Sequence, residues 1–517
     1  MDSLASSEYV VAGWILVIAY AAVILFFVVR GALRIKSISD YALGSVTFSP
    51  VAVGLALAAS MTSAATIIIN PGFVALYGLS GFISMGLVLP AAALISLVVL
   101  TKGFRKMGSA VKAQTMAQWM GKVYNSRGYA FFFAILSLLL ITFIVLICVG
   151  LTKVLASMLN LNELYVCLGI VVFVFGYMMF GGANSMVYTN MIQAALMLIV
   201  AFILLGSGYE HFSNGVHGFL DKLRAIDPLL VEPTNPQSLL FRDYFEVIFC
   251  QVIIGVAIVC QPHIITKSLL LRSERDVNVY LLVGLLVQGL FFLVVFAGLY
   301  ARLSFPDLAV NGTTISVDDI MSVYVVQEFP VYVGLLVVLG LISAGLSTLE
   351  GLIQSVSITI TSDIMRPILG SKVAEQEVLV NRLVIVVLAA VTVWLTFDQL
   401  QYPNLSVGIF AQNGVYAYFS AAFVPVLFGM FLRRVPLIAP VAASITSVLV
   451  HFAVYYGGLT SYMQGPVRNP GIAAALAILA SLAVGLSLYF AFRKPASATD
   501  TSSSTLTEPV YDAQLKN

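Results

Sequence analysis

The sequence predicts an all-α membrane protein, and three observations carry that prediction. Of 517 residues, 60% are hydrophobic and 10% charged, with a mean hydropathy of +1.01. The apolar residues form continuous runs near the roughly 20 residues that cross a hydrocarbon core, unlike the short alternating segments of an outer-membrane barrel. Two of the runs are interrupted by small, hydroxylated or proline-containing stretches, as in transporters with a site at the bilayer midplane.

Thirteen runs are expected to form about 13 transmembrane helices, at approximately 9–30, 48–70, 76–100, 129–158, 163–182, 187–208, 242–266, 277–304, 330–362, 382–400, 404–432, 437–457 and 471–492. Asp2 and Glu8 precede the first run without a basic leader or cleavage signal, so that run is expected to stay as a helix. Positive charge accumulates on cytoplasmic loops. With the N-terminus outside and the C-terminus cytoplasmic, 20 of the 26 Lys and Arg fall inside, among them Arg30, Arg34, Lys36, Lys102, Arg105, Lys106, Lys112, Arg433 and Arg434. Five fall outside and Lys153 lies within a run. The outer loops, residues 209–243 and 304–330, are long enough for short capping helices. The segment from Arg493 onward is Ser/Thr-rich and reads as disordered.

A net charge of +2 points to no nucleic-acid partner, so the environment is the lipid bilayer. Cys148, Cys167, Cys250 and Cys260 all fall in apolar runs with neither metal-ligand nor disulfide spacing, and read as packing thiols. No nucleophile–base pair or phosphate loop is present, which argues against an enzyme.

The interrupted runs are the second and the seventh. The second has a small, hydroxylated centre from Ala58 to Thr66 and ends at Pro71-Gly72; the seventh contains Gly255 and runs into Gln261-Pro262-His263. Breaks five runs apart divide the chain into an inverted pair, runs two to six and seven to eleven. The expected organisation is an extra helix and cytoplasmic loop in 1–47, a ten-helix core in 48–435, two added helices in 436–493 and a tail in 494–517.

The ninth run carries Ser343, Ala344, Ser347, Thr348, Glu350 and Gln354 where lipid disfavours polar groups. Ala344, Ser347 and Thr348 share one helical face through i, i+3 and i+4 spacing and offer a carbonyl and two hydroxyls. Neutral oxygens suit a releasable hard cation. The same residues also serve close helix packing, with hydroxyls bonded to the preceding turn.

Several stretches together resemble the sodium/solute symporter family, which includes proline, pantothenate, monocarboxylate and sialic-acid symporters. They are Asp40-Tyr41-Ala42-Leu43-Gly44, Phe180-Gly181-Gly182-Ala183-Asn184-Ser185, Tyr188-Thr189-Asn190-Met191-Ile192-Gln193, Gln261-Pro262-His263-Ile264-Ile265, Ile358-Thr359-Ile360-Thr361-Ser362-Asp363-Ile364 and Ala421-Ala422-Phe423-Val424-Pro425. The resemblance spans roughly 36–435 in the family's order. It implies a leucine-transporter-like core of two inverted five-helix repeats, sodium as the coupling ion, and import of a small organic solute by alternating access. The setting is a plasma membrane, taken as a bacterial inner membrane.

The resemblance implies sodium ligands at Ala59 and Thr62, through their carbonyls, completed by Ala344, Ser347 and Thr348. It implies substrate contacts at Ser60, Ser63 and Thr66, with Cys250 and Gln251 facing them from the other broken helix. Lys153 either snorkels to the interface or holds a substrate carboxylate. Met61 stands where proline members carry an aspartate and leaves the site neutral, which fits a small carboxylate or a neutral polar solute. Asn190 stands where members with a second sodium site carry an aspartate, while Glu350 adds a carboxylate on the facing helix. Glu350, Asn190 and Ser347 therefore form either a second cation or proton site, or a structural cluster in which Glu350 pairs across the bundle, with Lys153 as one partner. His263 reads as a structural residue near the gate. Alternatives on the same fold are a proton-coupled transporter or exchanger using Glu350, a transporter-like solute sensor, and a passive channel.

Overall fold

The computed structural model describes residues 6–33, 37–43, 48–111, 113–271, 273–310, 312–370, 375–402 and 405–493. Arg34, Lys36, Gly44, Lys112 and the 494–517 tail lie outside the described residues. Among those described, ten helices are long and apolar enough to cross a membrane, and up to twelve if two bent pairs each count as one span. Glu163–Met178, with 16 residues, is shorter. These elements follow the apolar runs in order. The two long loops carry short helices, Gly215–Ile226 and Ile320–Glu328, with a two-stranded antiparallel ladder pairing Ala309 with Thr314.

Both expected interruptions are present as bends. Pro50–Met61 and Ala65–Tyr77 meet at 53°, and Phe245–Ile258 and Pro262–Leu270 at 56°. The first break falls at residues 62–64, and the helix then runs through Pro71 to Tyr77 instead of ending at Pro71-Gly72. Residues Ala65–Ile69 form a wider π-helical turn, with the Asn70 N–H on the Ala65 carbonyl, and the helix continues through Pro71, which supplies no N–H to that turn. Gly255 lies inside its helix, and the break comes later, at residues 259–261.

The packing repeats itself between the halves. Pro50–Met61 lies against Glu274–Leu293, and its counterpart Gln251–Ile258 lies against Leu89–Val111, the counterpart of Glu274–Leu293. Both contacts need glycine. A Cβ on Gly54 would stand 2.9 Å from the Tyr280 carbonyl oxygen, and one on Gly255 would stand 2.5 Å from that of Leu89. Close backbone approach at small residues replaces the hydrophobic drive that lipid cannot supply. The same exchange relates Ala183–Gly206 on Val331–Thr359 to Val407–Phe431 on Ile141–Leu159. Ile438–Gly457 and Pro470–Phe492 pack on each other and on Val407–Phe431.

The helix ends sort into two faces. On one, the Asn469 amide donates to the Leu240 carbonyl at 3.1 Å, and Asp318 clasps the start of Val407–Phe431. On the other, the Gln354 amide donates to the Tyr41 carbonyl at 2.6 Å, and the Thr115 hydroxyl donates to Asp363 at 2.6 Å. In the first face, the Ser406 hydroxyl donates to Asp318 Oδ1 at 2.5 Å and the Val407 N–H to Oδ2 at 2.9 Å. Burial pushes the Asp318 carboxyl up to about 6 against the pull of those two donors.

Because the folded carboxyl holds its proton to higher pH than an unfolded one, the native state binds more protons between about pH 4 and pH 6, and stability rises as pH falls through that window. Relative to Asp318→Asn, the wild type should gain about 1–3 kcal/mol on going from about pH 7.5 to about pH 4. Unfolding midpoints in detergent at stepped pH measure this, and parallel curves for the two proteins would refute it.

Candidate functional site

A continuous helix through residue 62 would give the Ala59 and Ser60 carbonyls to the N–H groups four residues on. The break redirects them. The Ser347 hydroxyl lies 2.8 Å from the Ala59 carbonyl and 3.0 Å from that of Ala344, while the Thr348 hydroxyl lies 3.1 Å from the Ser60 carbonyl and 3.3 Å from that of Ala344. Two hydroxyl protons thus face three carbonyl oxygens, so the cluster has more lone pairs than protons. Ala59, Ser60, Ala344, Ser347 and Thr348 are all buried. The arrangement brings together four of the five expected cation ligands and adds the Ser60 carbonyl. Thr62 sits at the bend itself, with φ −95° and ψ 88°, its N–H on the Ala58 carbonyl and its hydroxyl donating to Gln288 at 3.1 Å.

Glu350 is 1% exposed and lies one turn beyond this cluster. The Tyr177 hydroxyl donates to its Oε1 at 2.6 Å, the Thr189 hydroxyl to its Oε2 at 3.0 Å, and the Gln193 amide to Oε1 at 3.5 Å. The expected grouping with Asn190 is corrected, because Asn190 donates to the Ser60 hydroxyl at 3.2 Å. Thr189 and Gln193 share a helix face by their i, i+4 spacing, and Asn190 is turned about 100° away toward the first broken helix. The suggested pairing of Glu350 with Lys153 is likewise replaced by these neutral donors.

Lys153 is held elsewhere. Its ammonium meets Glu163 at 2.8 Å and Asp319 at 3.2 Å, and it is not among the residues lining the main cavity, so its expected hold on a substrate carboxylate is corrected. Two carboxylates already satisfy it.

The main cavity, of about 110 Å³, lies between the two broken helices and reaches the face that carries Leu240 and Asn469. Ser63 and Thr66 line it as expected, with Gln251, Gln261, Gln412 and His263 as further polar groups and Phe143, Phe241 and Tyr416 among the apolar walls. Among the described residues no charged side chain lines it. Ser60 and Cys250 are buried beside the cavity without lining it. Asn469 and Gly471, at the start of Pro470–Phe492, also contribute to the wall. No local pattern around Asn469 signals that role.

A sodium:solute symporter family model matches residues 41–445. The chain is 24% identical over 391 residues to a sodium/pantothenate symporter of Haemophilus influenzae, covering 74% of this chain and 78% of that protein. It is 28% identical over 297 residues to a sodium/pantothenate symporter of Escherichia coli, covering 55% and 60%. A sodium/mannose cotransporter of Bos taurus is 26% identical over 321 residues, covering 54% and 51%. A solved structure of a Na+-coupled sialic acid symporter, substrate-bound and outward-open, superposes with a TM-score of 0.76 at 16% identity, covering 94% of this chain and 99% of that one. That likeness agrees with the leucine-transporter-like fold of two inverted five-helix repeats.

Tyr177→Phe removes the shortest donor to a buried carboxylate and should lower the unfolding free energy by about 1–3 kcal/mol. Tyr188→Phe, at an exposed ring on a neighbouring helix, should leave it within about 0.5 kcal/mol. Equal midpoints for the two variants in detergent would contradict this.

Proposed function

Because this chain belongs to the sodium:solute symporter family, it is a membrane transporter that couples a solute to sodium and is not an enzyme, and we propose that its solute is a small organic carboxylate. The observation that carries the proposal is the adjacency of two neutral sites on the first broken helix. The cluster of Ala59, Ser60, Ala344, Ser347 and Thr348 offers oxygens short of protons, and the cavity beside it offers amides and hydroxyls without a competing carboxylate. A hard cation prefers the first and a hydrogen-bond-accepting solute the second. Sodium held there also supplies positive charge close to a bound carboxylate. The names of the two pantothenate-transporting relatives agree with that solute class.

In this reading Thr62 contributes its carbonyl when the core rearranges, and Ser63, Thr66 and Gln251 meet the solute. Residues 48–435 form the moving core, flanked by 1–47, 436–493 and 494–517. The face bearing Leu240, Asp318 and Asn469 is taken as the outside because 20 of the 26 Lys and Arg then fall on the other side. Import proceeds from that face in a plasma membrane.

A second reading, proton coupling through Glu350, is favoured by one observation: every hydrogen bond to this carboxylate comes from a neutral donor. Such a group exchanges a proton without breaking an ion pair.

Ser347→Ala and Thr348→Ala should each raise the sodium concentration for half-maximal uptake about 5- to 30-fold, the effect of losing one cation ligand. Ser357→Ala, whose hydroxyl donates to the Gln354 carbonyl at 3.2 Å, should leave it unchanged. Uptake of radiolabelled pantothenate, lactate and a neutral sugar into proteoliposomes, with and without sodium, measures both this shift and the solute class. Unshifted sodium curves would refute the cation site. In the same assay Glu350→Gln should still require sodium, whereas uptake driven by a pH gradient alone and abolished by Glu350→Gln would favour the second reading.

A further inference from the structure

Beyond His263 lies a second, smaller cavity of about 40 Å³, bounded by Thr115, Thr266, Lys267, Gly351 and Gln354. It faces the side of the protein opposite the main cavity's mouth, and His263 borders both cavities. Lys267 is 4% exposed, and its ammonium has no hydrogen-bond partner among the described residues. Neither ring nitrogen of His263 has one.

Three of the other polar walls are already committed. The Gln354 amide donates to Tyr41, the Thr115 hydroxyl to Asp363, and the Thr266 hydroxyl to the Pro262 carbonyl at 2.6 Å. Glu350 attracts Lys267 electrostatically without a hydrogen bond between them. A buried ammonium with three unused donors is strongly unfavourable unless something accepts them. The cavity is larger than the roughly 10–15 Å³ that one water requires. The Lys267 ammonium offers only donors, so it selects an acceptor-rich, negatively charged occupant.

We propose that Lys267 is a carboxylate subsite on the release side of the pathway, engaged by the solute's carboxylate after it passes His263. No charged side chain of the described residues lines the main cavity, so the fixed positive charge of Lys267 beyond His263 would draw the anion forward once the core opens to that face. This rests on the carboxylate reading given above, and the test separates the two.

Formate, the smallest carboxylate, is titrated into the purified full-length protein while its unfolding midpoint is followed. The wild type should rise by about 2 °C or more at saturation, Lys267→Arg should keep the rise, and Lys267→Met should lose it. In proteoliposomes, Lys267→Met should lower the ratio of pantothenate uptake to uptake of its alcohol analogue pantothenol by about tenfold, with the sodium dependence unchanged. A formate shift that survives in Lys267→Met, or that is absent from the wild type, overturns the subsite. Lys267-dependent formate binding in a wild type that takes up neither pantothenate nor lactate upholds the subsite and removes the carboxylate reading. Pantothenate uptake equal in wild type and Lys267→Met does the reverse.

Discussion

A carbonyl released inside a bilayer has no water to turn to, and the consequences of that constraint organise this protein. At residues 62–64 the first broken helix releases the Ala59 and Ser60 carbonyls, and the hydroxyls of Ser347 and Thr348 reach them from the facing helix. An unsatisfied carbonyl at that depth costs several kcal/mol, so the break requires a polar partner. That partner comes from the opposite half of an inverted pair, which ties the two repeats together at their centre. Because each hydroxyl has one proton and two acceptors within 3.4 Å, the tie is incomplete as it stands. A cation would complete it, and at the proposed sodium site it would also hold the broken helix to Val331–Thr359.

The second tie is Glu350, which joins Val331–Thr359 to Glu163–Met178 through Tyr177 and to Ala183–Gly206 through Thr189 and Gln193. Asn190 runs from the latter helix to Ser60, beside the oxygen cluster. A change of charge at either centre therefore reaches the same two helices, Val331–Thr359 and Ala183–Gly206. No wire between them needs to be invoked, since shared neighbours suffice.

The helical fold and the two broken helices were legible because composition, run length and midspan polar residues are local signals. The shared face of Ala344, Ser347 and Thr348 was legible because spacing alone fixes it. Partner choice was not. Asn190 differs from Thr189 by one residue, which in a helix is a rotation of about 100°, and only packing decides which side chain meets Glu350. Lys153 finds Asp319 across a loop in the other half of the chain, so no pattern near Lys153 announces it. Pro71 misled because a proline inside a helix commonly ends it, whereas here the helix runs on from the π-helical turn Ala65–Ile69 to Tyr77.

Charge arithmetic links the solute to the ions that carry it. With one sodium, a neutral solute draws about 2.3 kcal/mol from a potential of about 100 mV and about 1.4 from a tenfold sodium gradient, enough for roughly 500-fold accumulation. A monoanion carried with one sodium moves no net charge, so the potential contributes nothing and the same gradient supports only about tenfold. A carboxylate solute therefore gains steeply from a second cation. Two sodium ions, or a sodium and a proton, restore a net positive charge to the moving complex. Glu350, a buried carboxylate one turn beyond the oxygen cluster whose hydrogen bonds come from neutral donors, is the group proposed above to take up that charge. The solute class and the role of Glu350 are thus one question: a strongly accumulated anion requires a second cation, and a neutral solute does not.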